Sequence, residues 1–211
     1  VRESVAKDHP GTYGVSMIEL EGKKRRAEYN GDKQFVTAST YKLLVAYSLL
    51  KRIDSGARSW DSDQACFNKM ISLSDNACAE SFLNAIGVST LTSEANAIGL
   101  KNSTFMKGGG PYTTANDQAL LLGMIATGQN FSSANQQRLL EAMKKNVFLK
   151  GIPAGVSGTV ADKVGFMNGL LHDSAIVYGS HGTYVLSIMT DGASWEVIAD
   201  LAKQLDALRV Q

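Results

Sequence analysis

A chain of 211 residues carrying 21 basic against 20 acidic side chains has a formal charge of +1 and no basic excess to replace phosphate counterions, which argues against a dedicated nucleic-acid binder. The length allows one large domain, or two intergrown lobes, and no apolar run approaches a membrane span. Two cysteines are too few for a disulfide scaffold, and three histidines without a Cys-x-x-Cys or His-x-x-x-His pair argue against a structural metal.

After a short leading helix, "TYGVSMIEL" (Thr12 to Leu20) is rich in β-formers. "RAEYN" follows across a Glu-Gly turn, which predicts an antiparallel hairpin. The basic run Lys23 to Arg26 falls between these stretches and reads as a solvated hairpin, not a nucleic-acid or targeting patch. From about Ala38 to Leu149 the pattern is helical. "YKLLVAYSLLKRI" and "NDQALLLGMIATG" carry apolar residues at helical spacing, and "ANQQRLLEAMKKN" carries a shorter set. Thr114, with Asp117 three residues on, is a variant of the capping box. "GVSTLTSEANAIGL" predicts a further helix ended by Gly99. Gly108 to Gly110 read as a flexible loop, because no Lys-Ser/Thr pair follows to make a phosphate cradle.

Strand character returns in "TVADKVG", "SAIVYGS" and "TYVLSIMTDG", and "SWEVIADLAKQLDAL" closes the chain as an amphipathic helix from Ser194 to Leu208. The expected class is α/β (α+β): an antiparallel sheet flanked by terminal helices, with an all-helical lobe inserted. It is read as a single domain over 1–211, with an α/β lobe of about 1–37 and 150–211 and a helical lobe of about 38–149. A chain that leaves and re-enters its sheet places a site in the cleft between the lobes.

S-x-x-K occurs at Ser4–Lys7, Ser39–Lys42 and Ser48–Lys51, so the motif alone is weak. Ser39 is distinguished by its position. It opens the apolar helix, where a positive terminus stabilises a developing oxyanion, and Lys42 lies one turn on along the same face. Ser4 sits in a polar terminal segment and Ser48 inside a helix. Taken alone, Ser39 would be a helix cap. Two further stretches alter that reading: Ser74-Asp75-Asn76 at a helix start, and Lys163-Val164-Gly165 on a strand. S-x-x-K, S-D-N and K-T-G form the motif set of class A β-lactamases and penicillin-binding proteins, and here they occur in that order.

The likeness extends beyond the motifs. The stretch from "GVSMIELEG" to "KRIDSG" resembles the N-terminal third of a class A β-lactamase, and that from "IPAGVSG" to "SIMTDG", with "HDSAIVYG" within it, resembles the C-terminal third. The resemblance implies that Ser39 is the acylated nucleophile, Lys42 its general base or proton relay, and Ser74 the donor to the leaving nitrogen. It further implies that Asn76 bonds the substrate's amide side chain and that Lys163 binds the substrate carboxylate. Lys163 would also keep Lys42 neutral by repulsion. Backbone N–H groups of Ser39 and Phe166, just past Gly165, would form the oxyanion hole. No cofactor is implied.

Three departures stand out. Ser39 and Ser74 are closer together than the family has them, so a helix and loop are missing. No E-x-x-L-N loop supplies a deacylating glutamate; the interval holds "GLKNSTFMKGGGPYTTANDQALLL", which resembles a stretch of D,D-peptidases. Glu80, Glu94 and Glu141 read as solvated helix faces. Val164 replaces the hydroxyl residue of K-T-G, a lost bond worth about 1.5–3 kcal/mol, with His172 as the nearest basic substitute.

The function expected is a β-lactamase-like serine acyl hydrolase with slow deacylation. The alternatives are a D,D-peptidase on peptidoglycan stem peptides and a β-lactam or muropeptide receptor without turnover; a Ser-His-Asp hydrolase using His172 and Asp173 is a weak fourth. A monomer acting on a small-molecule β-lactam or stem peptide is expected, with an extracytoplasmic location. A first residue other than Met is read as a sign of processing. In an oxidising compartment Cys66 and Cys78 could form one bridge, or they could remain two buried thiols.

Overall fold

The computed structural model describes residues 11–209; the short leading helix and Ser4 lie outside them. Strands β1 (Thr12–Glu19) and β2 (Arg26–Tyr29) form the expected antiparallel hairpin, with Val15 opposite Tyr29. Its basic turn is anchored where Arg25 donates to the Glu19 carboxylate at 2.9 Å. A short strand β3 (Phe35–Val36) leads into a 3₁₀ turn (Ala38–Tyr41) and helix α1 (Lys42–Asp54). Helices α2 (Trp60–Ser72), α3 (Asn76–Ile86) and α4 (Val88–Ala97) follow. Then come strand β4 (Tyr112–Thr113), which pairs back to β3, and helices α5 (Ala115–Thr127) and α6 (Ser133–Lys144). One helical turn, α7 (Ile152–Gly155), returns the chain to β5 (Thr159–Met167), β6 (Leu170–Gly179), β7 (Gly182–Asp191) and the closing helix α8 (Trp195–Leu208).

The sheet runs β2-β1-β7-β6-β5 and is antiparallel throughout, so the first strand is zipped to the last from Thr12–Asp191 to Glu19–Tyr184. Helix α1 is buried all round from Lys42 to Leu50, as a helix without a polar face must be. The helices pack on one side of the sheet and α8 on the other. Side chains alternate along a strand, so Ile176 and Val185 join the core around α1, while Ala175, Val177, Leu186 and Ile188 join that of α8.

The β5–β6 turn carries Asn168 and Gly169 with φ of 48° and 86°, the left-handed pair that a two-residue hairpin turn requires. It fixes a register with Lys163 opposite Ser174, Val164 opposite Asp173 and Gly165 opposite His172. Lys163 and Gly165 therefore face the helices, and Asp162 and Val164 face the opposite side. Cys66 of α2 is bonded to Cys78 of α3, which resolves the alternative the spacing left open. Among the described residues no helix is long and apolar enough to cross a membrane.

Candidate active site

Ser39 lies in the 3₁₀ turn, three residues before the start of α1 at Lys42. The turn is held from behind by Thr37. Its carbonyl accepts from the Thr40 N–H at 3.1 Å and the Thr40 hydroxyl at 2.8 Å, and its own N–H donates to the Pro111 carbonyl at 2.9 Å. Ala38, just ahead of Ser39, has φ of 44°, and Ser74 has φ of 57°. A non-glycine residue in that region costs of order 1–3 kcal/mol. Both strained positions adjoin or carry a motif hydroxyl, which is where such strain collects.

Ser74 precedes α3, whose N-cap Asp75 accepts from the Cys78 N–H at 2.8 Å. The Cys66–Cys78 bond thus ties the first turn of α3 to α2. Lys42 is fully buried, and its Nζ donates to the Ser74 carbonyl at 2.7 Å and to Asn76 Oδ1 at 2.7 Å. It also lies 3.3 Å from Ser74 Oγ. From the sheet, buried Lys163 reaches the same hydroxyl at 2.9 Å and donates to the Val164 carbonyl at 2.9 Å. Two amines therefore converge on one hydroxyl. A neutral Lys42 has two N–H donors for its two short contacts, which leaves its lone pair for the third.

Burial pushes Lys42 down to about 8, against Asp75 and Glu80, whose charges raise it. Burial also pushes Lys163 down to about 7, with further lowering by Lys42 and opposition from Asp162 and Asp173. Lys42 was expected to be neutralised by Lys163. Desolvation is instead the chief cause, and the repulsion is felt at Lys163.

Gly165 is required by the contact between strand and turn. A Cβ there would sit 2.8 Å from the Thr37 carbonyl and 2.9 Å from the Ser39 nitrogen. The backbone of edge strand β5 thus abuts the Ser39 N–H, with Phe166 next along. The Phe166 ring turns away toward Phe148 and Trp195, at 5.4 and 6.3 Å between centroids, so what it brings to the cleft is backbone. Val164 is fully buried on the far side, opposite Asp173.

His172 does not supply the missing cation. It is buried, its Nε2 lies 2.8 Å from the Val36 carbonyl, and its Nδ1 accepts from the Thr190 N–H at 3.1 Å. Those partners select the neutral imidazole with its proton on Nε2, and burial lowers its pKa. Nor can it form a triad with Asp173, which is adjacent on the strand and points to the opposite face, where it accepts from the Ile152 N–H at 2.8 Å. Ser48 is bonded inside the helical core to Glu94 and to Arg52, the latter at 2.6 Å.

A carboxyl pair that sequence reasoning missed lies behind Lys163. Asp162 and Asp173 lie together on the α8 side of the hairpin, and Asp162 accepts from Asn146. Burial lifts Asp162 to about 7 and Asp173 well above the carboxylate range. No local motif links the two positions; the hairpin register brings them together.

A family model described as "Beta-lactamase enzyme family" matches residues 1–65 and 62–208. Among solved structures, a β-lactamase from Sphaerobacter thermophilus superposes with a TM-score of 0.89 at 18% identity, covering 98% of this chain and 94% of that one. A structure of PBP-A gives 0.90 at 21% identity, covering 98% and 93%. An ancestral class A β-lactamase (GNCA) gives 0.88 at 22%, covering 97% of each. At these identities the likeness is one of fold. No curated protein matches the sequence.

Proposed function

We propose that this chain, which belongs to the β-lactamase enzyme family, opens β-lactams by transferring their acyl group to Ser39. The observation that carries this reading is the convergence of Lys42, at 3.3 Å, and Lys163, at 2.9 Å, on the Ser74 hydroxyl, beside a Ser39 N–H held against the strand edge at Gly165. Ser39 Oγ attacks the lactam carbonyl carbon as neutral Lys42 takes its proton. The oxyanion falls between the Ser39 and Phe166 N–H groups. Ser74 gives its proton to the departing nitrogen, is reprotonated from the lysines, and leaves an ester on Ser39.

Lysines with pKa near 8 and near 7 on one hydroxyl do not both stay charged at neutral pH. An incoming substrate carboxylate favours the proton on Lys163 and leaves Lys42 free to act as base. Asn76, exposed at the mouth, is left to hold the substrate amide. No Asp or Glu lies between Lys101 and Tyr112, the stretch that would otherwise place a deacylating carboxylate. Positioned general-base help contributes about 10²–10⁴-fold, so hydrolysis of the ester lags and the acyl-enzyme accumulates.

That acid-free loop also favours a second reading, a D,D-peptidase acting on stem peptides. An extracytoplasmic location accords with the Cys66–Cys78 bond, which needs an oxidising compartment. The test is intact mass after mixing with a penicillin, alongside hydrolysis of a chromogenic cephalosporin and D-Ala release from a stem peptide. A stoichiometric adduct with slow cephalosporin turnover, both absent in Ser39→Ala, is expected. D-Ala release with negligible cephalosporin turnover selects the peptidase. A chain that binds lactam without an adduct is a receptor, and the Ser39 mechanism fails.

A further inference from the structure

The carboxylates of the helical region and of the β5–β6 hairpin are nearly all committed. Glu94 is held by Ser48 and by Arg52 at 2.9 Å, and Glu141 is paired with Lys144 at 3.2 Å. Asp75 caps α3. Asp117 is fixed by the Asn102 N–H at 2.9 Å and the Ser103 hydroxyl at 2.7 Å, and Asp162 and Asp173 lie behind the sheet. Glu80 differs. It is exposed on α3, and among the described residues its side chain has no hydrogen-bond or ion-pair partner.

Its direction is set by the helix. Glu80 is four residues after Asn76, so the two share a face with Cβ atoms about 5–6 Å apart, and side chains lean toward the helix N-terminus. Asn76 on that face is 2.7 Å from Lys42 Nζ, so Glu80 shares the helix face that Asn76 turns toward Lys42. The electrostatics agree: its charge raises both Lys42 and Tyr41. The titratable groups it meets are Tyr41 from the 3₁₀ turn and Lys42 from α1, with Asp75 at the head of its own helix.

We propose that Glu80 is the general base of deacylation, activating from the helical side the water that hydrolyses the Ser39 ester. This rests on the reading that Ser39 is acylated. The water oxygen bonds to the ester carbonyl carbon while one of its protons passes to the Glu80 carboxylate. The oxyanion collapses, the carbon–Oγ bond breaks, and Ser39 Oγ receives the proton that Glu80 took. Glu80 is on a helix with no loop to lock it in place, so it gives a working but slower route than a fixed carboxylate would.

The test is Glu80→Gln, followed by mass spectrometry after a short pulse of penicillin and removal of free drug, with rates of adduct formation and decay measured across pH. Glu80→Gln should form the adduct at least as fast as the wild type, because removing a charge that raises Lys42 favours its neutral form. Adduct decay should slow by about a hundredfold and lose its acid limb, and Glu80→Asp should recover part of the rate. If Glu80 only sets the charge of Lys42, the pH profile of formation moves while decay is unchanged, and the proposal is overturned with the Ser39 reading intact. A wild type that gives neither adduct nor turnover overturns both.

Discussion

On the cleft side of β5, Lys163 shares the Ser74 hydroxyl with Lys42; on the opposite side, one residue away, Asp162 lies beside Asp173. Each side brings two like groups together in a buried place, and burial drives both pairs toward their uncharged forms. The amines fall to about 7 and about 8, which leaves a lone pair free at the Ser74 hydroxyl. The carboxyls rise and retain a proton, sealed beneath α7 by the bond from the Ile152 N–H. The same physics gives, in the proposed mechanism, a neutral amine able to act as base on one side and a protonated carboxyl pair on the other. What separates the two is the hydroxyl on which the amines converge, which the carboxyl pair lacks.

The largest effect expected from breaking the cleft side is that of Lys42→Ala. Removing the base should slow acylation by about 10²–10⁴-fold. In the wild type the active form is the neutral amine, so acylation should rise with pH through about 8 and level off above it. Stopped-flow acylation between pH 5 and 10 reads both. A variant that acylates at wild-type rate removes Lys42 from the mechanism.

That division between faces was only partly legible in the sequence. Period-two and period-3.6 patterns located the strands and helices, and the order of S-x-x-K, S-D-N and K-x-G located Ser39, Ser74 and Lys163 along the chain. Which way each β5 residue points depends on the register set by Asn168-Gly169, and the spacing of motifs carries no such information. For that reason Asp173 reads only as the acid of a weak Ser-His-Asp alternative, and His172 reads as the nearest basic substitute because nothing local reveals its bonds to Val36 and Thr190. From the sequence Glu80, like Glu94 and Glu141, reads as a solvated helix face. The spacing of four from Asn76 was visible, but the proximity of Asn76 to Lys42 was not.

An intermediate effect is expected from the sealed side. A carboxyl whose pKa is raised on folding is stabilising where it is protonated, so its contribution is full below the unfolded value near 4. It declines as pH rises toward about 7, the value Asp162 reaches in the fold. Asp162→Asn removes that ionisation while keeping a hydrogen-bonding group. Its Tm should therefore fall less than that of the wild type between pH 4 and 7, by an amount corresponding to about 1–3 kcal/mol. Parallel melting curves would count against a shared proton.

The smallest effect expected is that of Val164→Thr, which asks to which side this position belongs. If the side chain faced the cleft, a hydroxyl here would donate to a substrate carboxylate and lower the lactam concentration required by about ten- to a hundredfold. Val164 is instead fully buried and stands opposite Asp173, whose Oδ1 has no hydrogen-bond partner among the described residues. A threonine hydroxyl would meet that oxygen before it met any ligand. The expected outcome is a change in lactam concentration dependence below about threefold, with Tm raised by the equivalent of about 1 kcal/mol through the new bond. A tenfold gain in affinity with an unchanged Tm would mean that the strand turns this position into the cleft when substrate binds, and the separation of the two faces would then end at Lys163.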